Sequence, residues 1–293
     1  MRYAGTMRAA LNWAALLALA SLSSLGAQTL RDRAQSGNPQ AQTALGKLYR
    51  DGEGMRQDLA EAARWFRQAA AQGYPEAENC LGFLYDYGAG LPIDHQEAAR
   101  WYRKAAGQGY AEAQFNLGSM YDSGQGVPVD HAEAARWYRK AAAQGDADAQ
   151  FDLGVMYEQA QGVPQDYAEA ARWYRRAAEQ GSAIAALSLG SLYADGRGVA
   201  RDPVEAARWV RKAADLGLAS AQYRLSLAYS AGLGVPQDAV AAYEWMDLAV
   251  FRARGPVRER YSAERDALAS RMTPQQVADA QRRAAAWKAA RPH

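Results

Sequence analysis

Residues 112–145 read EAQFNLGSMYDSGQGVPVDHAEAARWYRKAAAQG. Over 112–123, Ala113, Leu117, Met120 and Tyr121 fall at i, i+4, i+7 and i+8, which is one face of a helix. Gly118 on that helix predicts the close approach of a neighbour. Gly124 and Gly126 predict its end, because glycine enters the left-handed conformation at low cost. Pro128 keeps the link from continuing as helix. Asp130 followed three residues later by Glu133 predicts the N-cap and capping box of a second helix. That helix carries Ala134, Ala135, Trp137, Tyr138, Ala141 and Ala142 and stops at Gly145. The stretch is a helical hairpin whose alanines permit tight packing and whose tryptophan is expected to fill the gap between neighbouring hairpins. On that expectation, replacing Trp137 with Ala costs roughly 3–5 kcal/mol.

The hairpin recurs. Trp65, Trp101, Trp137, Trp173, Trp209 and Trp245 are each 36 residues apart, and Leu45 to Leu225, Tyr49 to Tyr229 and Gly54 to Gly234 keep the same step. The capping pair recurs as Asp58/Glu61, Asp94/Glu97, Asp166/Glu169 and Asp202/Glu205. One hairpin cannot bury this much apolar surface, and stacking does. The expected fold is all-α: a solenoid of six helix–turn–helix repeats over residues 41–256. Residues 28–40 form an N-terminal capping helix or partial repeat, since LRDRAQSG at 30–37 looks like the tail of a second helix. Residues 257–293 form a helical C-terminal cap, with a fresh helix start at Thr273-Pro274-Gln275-Gln276.

Residues 1–27 read as a secretory signal: Arg2 and Arg8, an apolar centre at Leu11–Ala20, then Ser23, Ser24, Gly26 and Ala27. Export to the periplasm or beyond is the expectation, with no stable membrane insertion after cleavage. The alternative is an uncleaved N-terminal anchor, because Ala9–Ala27 is only just long enough to span a bilayer. The chain has 34 Lys and Arg against 32 Asp and Glu, and the two leader arginines account for the excess. A balanced body has no global attraction for nucleic acid. The single cysteine, Cys80, allows neither an internal disulfide nor a CxxC metal site.

The pattern A-x-x-x-LG-x-x-Y-x-x-G-x-G-V-x-x-D-x-x-EAARWYRKAA-x-QG resembles the Sel1-like repeat, a relative of the tetratricopeptide repeat. The resemblance implies a right-handed superhelix of antiparallel helix pairs and adaptor roles in signalling, secretion and envelope assembly. Some bacterial relatives are cysteine-rich and linked to β-lactam binding, and this sequence lacks those cysteines.

First helices are expected to line the inner side of such a stack. Four outward positions there vary while packing positions do not. They present Phe83, Phe115, Phe151 and Tyr223 as aromatic anchors, flanked by Asp86, Asp122 and Glu158. Such a surface suits an apolar and basic peptide of a partner protein. The other reading is that Phe115 and Phe151 pack between first helices and the carboxylates are a solvated face. Second helices carry two arginine columns, Arg64 to Arg208 and Arg67 to Arg211. The first is expected to pair with the glutamate three residues before it. No GxSxG, SxxK or HExxH motif is present. His95 and His131 are two ligands without a third, a poor zinc site. No cofactor and no metal are expected. The protein is read as a monomeric, non-catalytic scaffold of the cell envelope. The rival readings are a cell-wall or β-lactam-acting hydrolase and a self-associating structural element.

Overall fold

A computed structural model describes residues 29–290, so the leader at 1–27 and His293 lie outside the described residues. Among the described residues the secondary structure is helical, with no strand. The described residues form two compact units that meet in sequence between Asp130 and His131.

The first unit holds helical residues 29–35 (α1), α2 (Pro39–Asp51), α3 (Leu59–Ala70), α4 (Pro75–Tyr87), α5 (His95–Gly107) and α6 (Ala111–Ser123). α2 packs on α3 and α4 on α5 as hairpins, while α3 meets α4 and α5 meets α6. α1 closes the open end: Ala34 is buried with Ala41, Leu45 and Trp65. Its Arg31 donates to the Tyr49 hydroxyl at 3.1 Å, as Arg67 does to Tyr85 at 3.3 Å and Arg103 to Tyr121 at 3.0 Å.

The second unit holds α7 (His131–Ala143), α8 (Ala147–Gln159), α9 (Tyr167–Glu179), α10 (Ala183–Asp195), α11 (Pro203–Asp215), α12 (Ala219–Ala231) and α13 (Ala239–Arg252). α14 (Gly255–Ala269) and α15 (Pro274–Ala290) follow. The hairpins are α8/α9, α10/α11 and α12/α13, and both tail helices pack on α13. The start of α15 is a reciprocal capping box: Gln276 Oε1 accepts from the Thr273 N–H at 2.9 Å, and Thr273 Oγ1 accepts from the Gln276 N–H at 3.3 Å.

The repeat caps differ from the expected box. Asp58 and Asp94 accept from the N–H three residues on at 2.9 Å, as predicted. Their glutamates do not reach back. The N–H of Asp58 already donates to the Tyr49 carbonyl, and that of Asp94 to the Tyr85 carbonyl, both at 2.9 Å. Glu61, Glu97, Glu133, Glu169 and Glu205 turn instead to the arginine three residues on.

The tryptophans differ in part: Trp65 and Trp245, in the first and last repeats, are buried as expected. Trp101, Trp137, Trp173 and Trp209 are half-buried. A cation three residues later covers each ring, Lys104 Nζ and Lys140 Nζ both at 3.9 Å from theirs. The ring that fills the core is the next residue: Phe66, Tyr102, Tyr138 and Tyr174 are buried. Each of three meets a first-helix glycine. A Cβ on Gly46, Gly82 or Gly154 would stand 2.6, 2.8 or 2.7 Å from Phe66, Tyr102 or Tyr174 respectively. Trp137→Ala therefore costs about 1–2 kcal/mol, the share of a half-buried ring, and not the roughly 3–5 kcal/mol of a fully buried one.

From the second repeat on, the last glycine of the loop between the two helices is a steric requirement as well as a turn residue. Gly126 has φ +68°, and a Cβ there would lie 2.1 Å from the His95 carbonyl oxygen. The loop after one first helix rests on the opening turn of the preceding second helix, and no side chain fits between them.

Candidate functional site

In the first unit, Phe83 is 37% exposed on α4. Tyr87, one turn later and 67% exposed, packs against it, the rings tilted by 32° with centroids 4.5 Å apart. Asp86 lies beside this pair and is hydrogen-bonded to His95 Nδ1 at 2.8 Å. The opening residue of α5 thus holds a carboxylate of α4 in a hydrogen bond. Phe115 and Asp122, on α6, are both half-buried. Glu76 is paired with Lys47. Tyr110 donates to Glu112 at 3.2 Å.

In the second unit, Phe151 is half-buried and packs its ring 5.7 Å from that of Tyr174. Glu158 accepts from the Tyr174 hydroxyl at 2.7 Å and lies 3.3 Å from Arg197. Burial, reinforced by that carboxylate, pushes the Tyr174 phenol well above its ordinary value, so it remains a donor. Tyr223 lies under the tail. Its ring stacks on Tyr261 of α14 at 4.4 Å, its hydroxyl donates to Glu264 at 3.1 Å, and Arg260 covers the ring at 5.3 Å. Of the seven residues singled out in the sequence, Phe83 presents the most open apolar side chain. Tyr87 was missed. Its signal was an aromatic residue one turn after Phe83, at a position filled elsewhere by Asp51, Ser123, Gln159, Asp195 and Ala231.

The arginine columns are spent on the fold. Arg100 pairs with Glu97 at 3.1 Å and Arg208 with Glu205 at 3.0 Å. The second column reaches the tyrosine of the following repeat, as in Arg139 to the Tyr157 hydroxyl at 2.9 Å. Cys80 is buried, contrary to the partial exposure that its varied position suggests, and burial pushes its thiol up to about 12. The thiolate needed for exchange with a partner is scarce at neutral pH. Among the described residues, no cluster of three or more His, Cys, Asp or Glu is placed to hold a metal ion.

Helix hairpins of like length, their two helices joined by glycine-bearing loops and three of them locked by the same glycine–aromatic contact, define an α-solenoid repeat protein. Its repeat is the Sel1 repeat, whose family model matches residues 39–74, 75–110, 111–146, 147–182, 183–218 and 219–250, and the chain belongs to that family. Among solved structures it is similar to c5321, a protective antigen present in uropathogenic Escherichia coli strains and displaying an SLR fold. The identity is 38% and the TM-score 0.79, over 88% of this chain but only 56% of that one. It is also similar to a Sel1 repeat protein from Oxalobacter formigenes, with 36% identity and a TM-score of 0.68 over 73% of this chain and 86% of that one. Comparison with curated proteins finds no match.

Proposed function

We propose that this chain is an exported, non-catalytic scaffold that holds a partner protein or peptide on outward positions of its first helices. Sel1-repeat proteins generally mediate protein–protein interaction. For this chain the reading is carried by one observation. Phe83 and Tyr87 form an exposed aromatic pair in ring contact on α4, where the equivalent positions of the next repeat hold Ser119 and Ser123. Exposed aromatic pairs of this kind anchor interfaces, because a rigid ring brings much apolar area at little entropic cost. Asp86 is already paired with His95, so the anchor is apolar first and charged second. The partner segment contributes an aliphatic or aromatic side chain to this pair. Export rests on the leader sequence, and similarity to a protective antigen agrees with it.

The test is crosslinking in envelope extract with a photoreactive residue placed at Glu76, two turns before Phe83 on α4, in wild type and in F83A/Y87A. A discrete adduct lost in the double variant supports the reading. The same adducts in both proteins, or a hydrolytic turnover abolished by one polar substitution, refutes it. N-terminal sequencing of the mature protein tests export: a start near Gln28 is expected, and a retained Met1 refutes cleavage.

A further inference from the structure

In the fourth repeat, the Tyr174 ring packs against Gly154 and its hydroxyl donates to Glu158 at 2.7 Å. Thirty-six residues on, Val210 stands for the tyrosine and Ala194 for the glutamate, while the glycine persists as Gly190. Ring and carboxylate are lost together. What remains is a cavity of about 240 Å³ among α10, α11 and α12, lined by Gly190, Ala194 and Val210. A cavity of about 150 Å³ already accommodates benzene, so this one takes an aromatic side chain.

Other departures from the repeat cluster at the same cavity. Gln57, Gln165 and Gln237 each donate to the carbonyl seven residues back, at 2.7, 2.9 and 2.8 Å. In the fifth repeat that residue is Arg201, and its Nε makes the same bond to the Ala194 carbonyl at 3.1 Å. One N–H holds the guanidinium at the rim and the rest are left over. Arg224, where earlier repeats have Ala44, Cys80, Asn116, Asp152 and Ser188, is held by Nη1 on Ser191 Oγ at 2.8 Å. No carboxylate lines the cavity. Leu227 and Leu233, 42% and 62% exposed, extend the apolar surface past its mouth.

We propose that this cavity docks a partner segment that restores the missing pair, an aromatic side chain entering against Gly190 and Val210 and a neighbouring Asp or Glu meeting Arg201 and Arg224. The apolar lip reaches beyond what one ring covers, which fits a polypeptide better than a small molecule. The chemistry is complementary in charge: neither pinned cation has a carboxylate partner among the described residues, and both can take an anion. The proposal rests on the scaffold reading but concerns a different surface from Phe83 and Tyr87, and the two fail separately.

The test is selection of random heptapeptides displayed on phage against the immobilised full chain, with the enriched peptides then synthesised and titrated by fluorescence polarisation. The expected consensus pairs Phe, Tyr or Trp with an Asp or Glu one or two residues away. Binding is expected to weaken by about tenfold or more, an effect of hot-spot size, in V210Y/A194E, which refills the cavity as in the fourth repeat. It weakens similarly in R201A/R224A, a surface change that keeps the fold testable if the first variant does not fold. A consensus without the aromatic–acidic pair, undiminished binding to both variants, or no enrichment overturns the proposal. Peptides lost on F83A/Y87A but retained on both cavity variants overturn it while leaving the scaffold reading intact.

Discussion

Glu78 sits where the stack wants an amide. In the first, third, fourth and sixth repeats the position is Gln42, Gln114, Gln150 and Gln222. Each donates its Nε2 to the carbonyl eight residues back, Ala34, Ala106, Ala142 or Ala214, at 3.1–3.2 Å. The amide oxygen accepts in the same place, from Gln72 at 2.9 Å in the first repeat and from Gln180 at 2.8 Å in the fourth. Glu78 is 3% exposed and keeps the acceptor half, taking Gln108 Nε2 at 2.7 Å. Ionised, it has no proton to give Ala70, the counterpart of Ala34. Burial raises its pKa, against smaller opposing effects of Gln108 and Lys104. An acid whose folded pKa lies above the unfolded value binds its proton more tightly in the fold. The penalty is therefore absent below the ordinary value near 4.5 and grows as pH rises through the folded value.

Glu78→Gln removes the buried charge and restores one donor, worth about 1–2 kcal/mol at neutral pH. For a chain of this size that is about 2–8 °C in melting temperature. Thermal melts of wild type and E78Q at pH 4 and pH 7.5 separate the mechanism from a general effect. The gap should be open at pH 7.5 and nearly closed at pH 4. Gln114→Glu should import the same pH-dependent loss into the third repeat. An equal gap at both pH values, or an E78Q protein less stable than wild type at pH 7.5, refutes the reasoning.

Gly154→Ala drives a Cβ to 2.7 Å from the Tyr174 ring and should cost about 1–3 kcal/mol, whereas Gly107→Ala, with open space around it, should be neutral or stabilising; urea denaturation compares them. Ala160 ends α8 with φ 58°, where α2, α4, α6, α10 and α12 end in glycine. Ala160→Gly should raise stability by about 0.5–1 kcal/mol in the same denaturation series, the relief of left-handed strain less the entropy of glycine. Cys80 should resist iodoacetamide at pH 7.5 until urea unfolds the first unit, and rapid native alkylation read by mass spectrometry would contradict its burial. A double-mutant cycle on Arg139→Ala and Tyr157→Phe should give a coupling of about 0.5–1 kcal/mol, and a coupling near zero would mean the arginine column does not tie repeats together.

The period of 36 was legible because every repeat solves the same packing problem with the same residues. Leu117, Tyr121, Gly126 and Asp130 each occupy the place their spacing predicted. Two errors of emphasis share a cause. Recurrence shows that a position is constrained but not by what. Trp137 and Tyr138 recur side by side, and size alone favoured the tryptophan as core. One residue is a rotation of about 100° on a helix, and that rotation puts Tyr138 inside and Trp137 under a lysine. Glu133 looked like the closing half of a capping box, yet its side chain pairs with Arg136, because in these repeats a tyrosine carbonyl takes the N-cap N–H first.

The candidate binding surface was less legible for a related reason. A varying column identifies positions released from packing within the repeat, but elements that occur once can still claim them. Tyr223 shares its column with Phe115 and Phe151, and nothing periodic announces that α14 will lie on it, since α14 has no earlier copy. Glu158 likewise looks free until Tyr174, from a packing column, reaches it through a hydroxyl that periodicity reads as mere ring. The converse also holds. Val210 and Ala194 each look like a tolerable shrinkage within its own column, one hydrophobic residue for another and one small residue for an acid. Only contact in space makes them a single event, the loss of a ring together with the carboxylate that its hydroxyl would have met. The informative unit in this protein is therefore a pair of columns that touch. Where both members change in one repeat, as Val210 and Ala194 do, the stack has lost an internal contact, and the proposed docking segment is what would restore it.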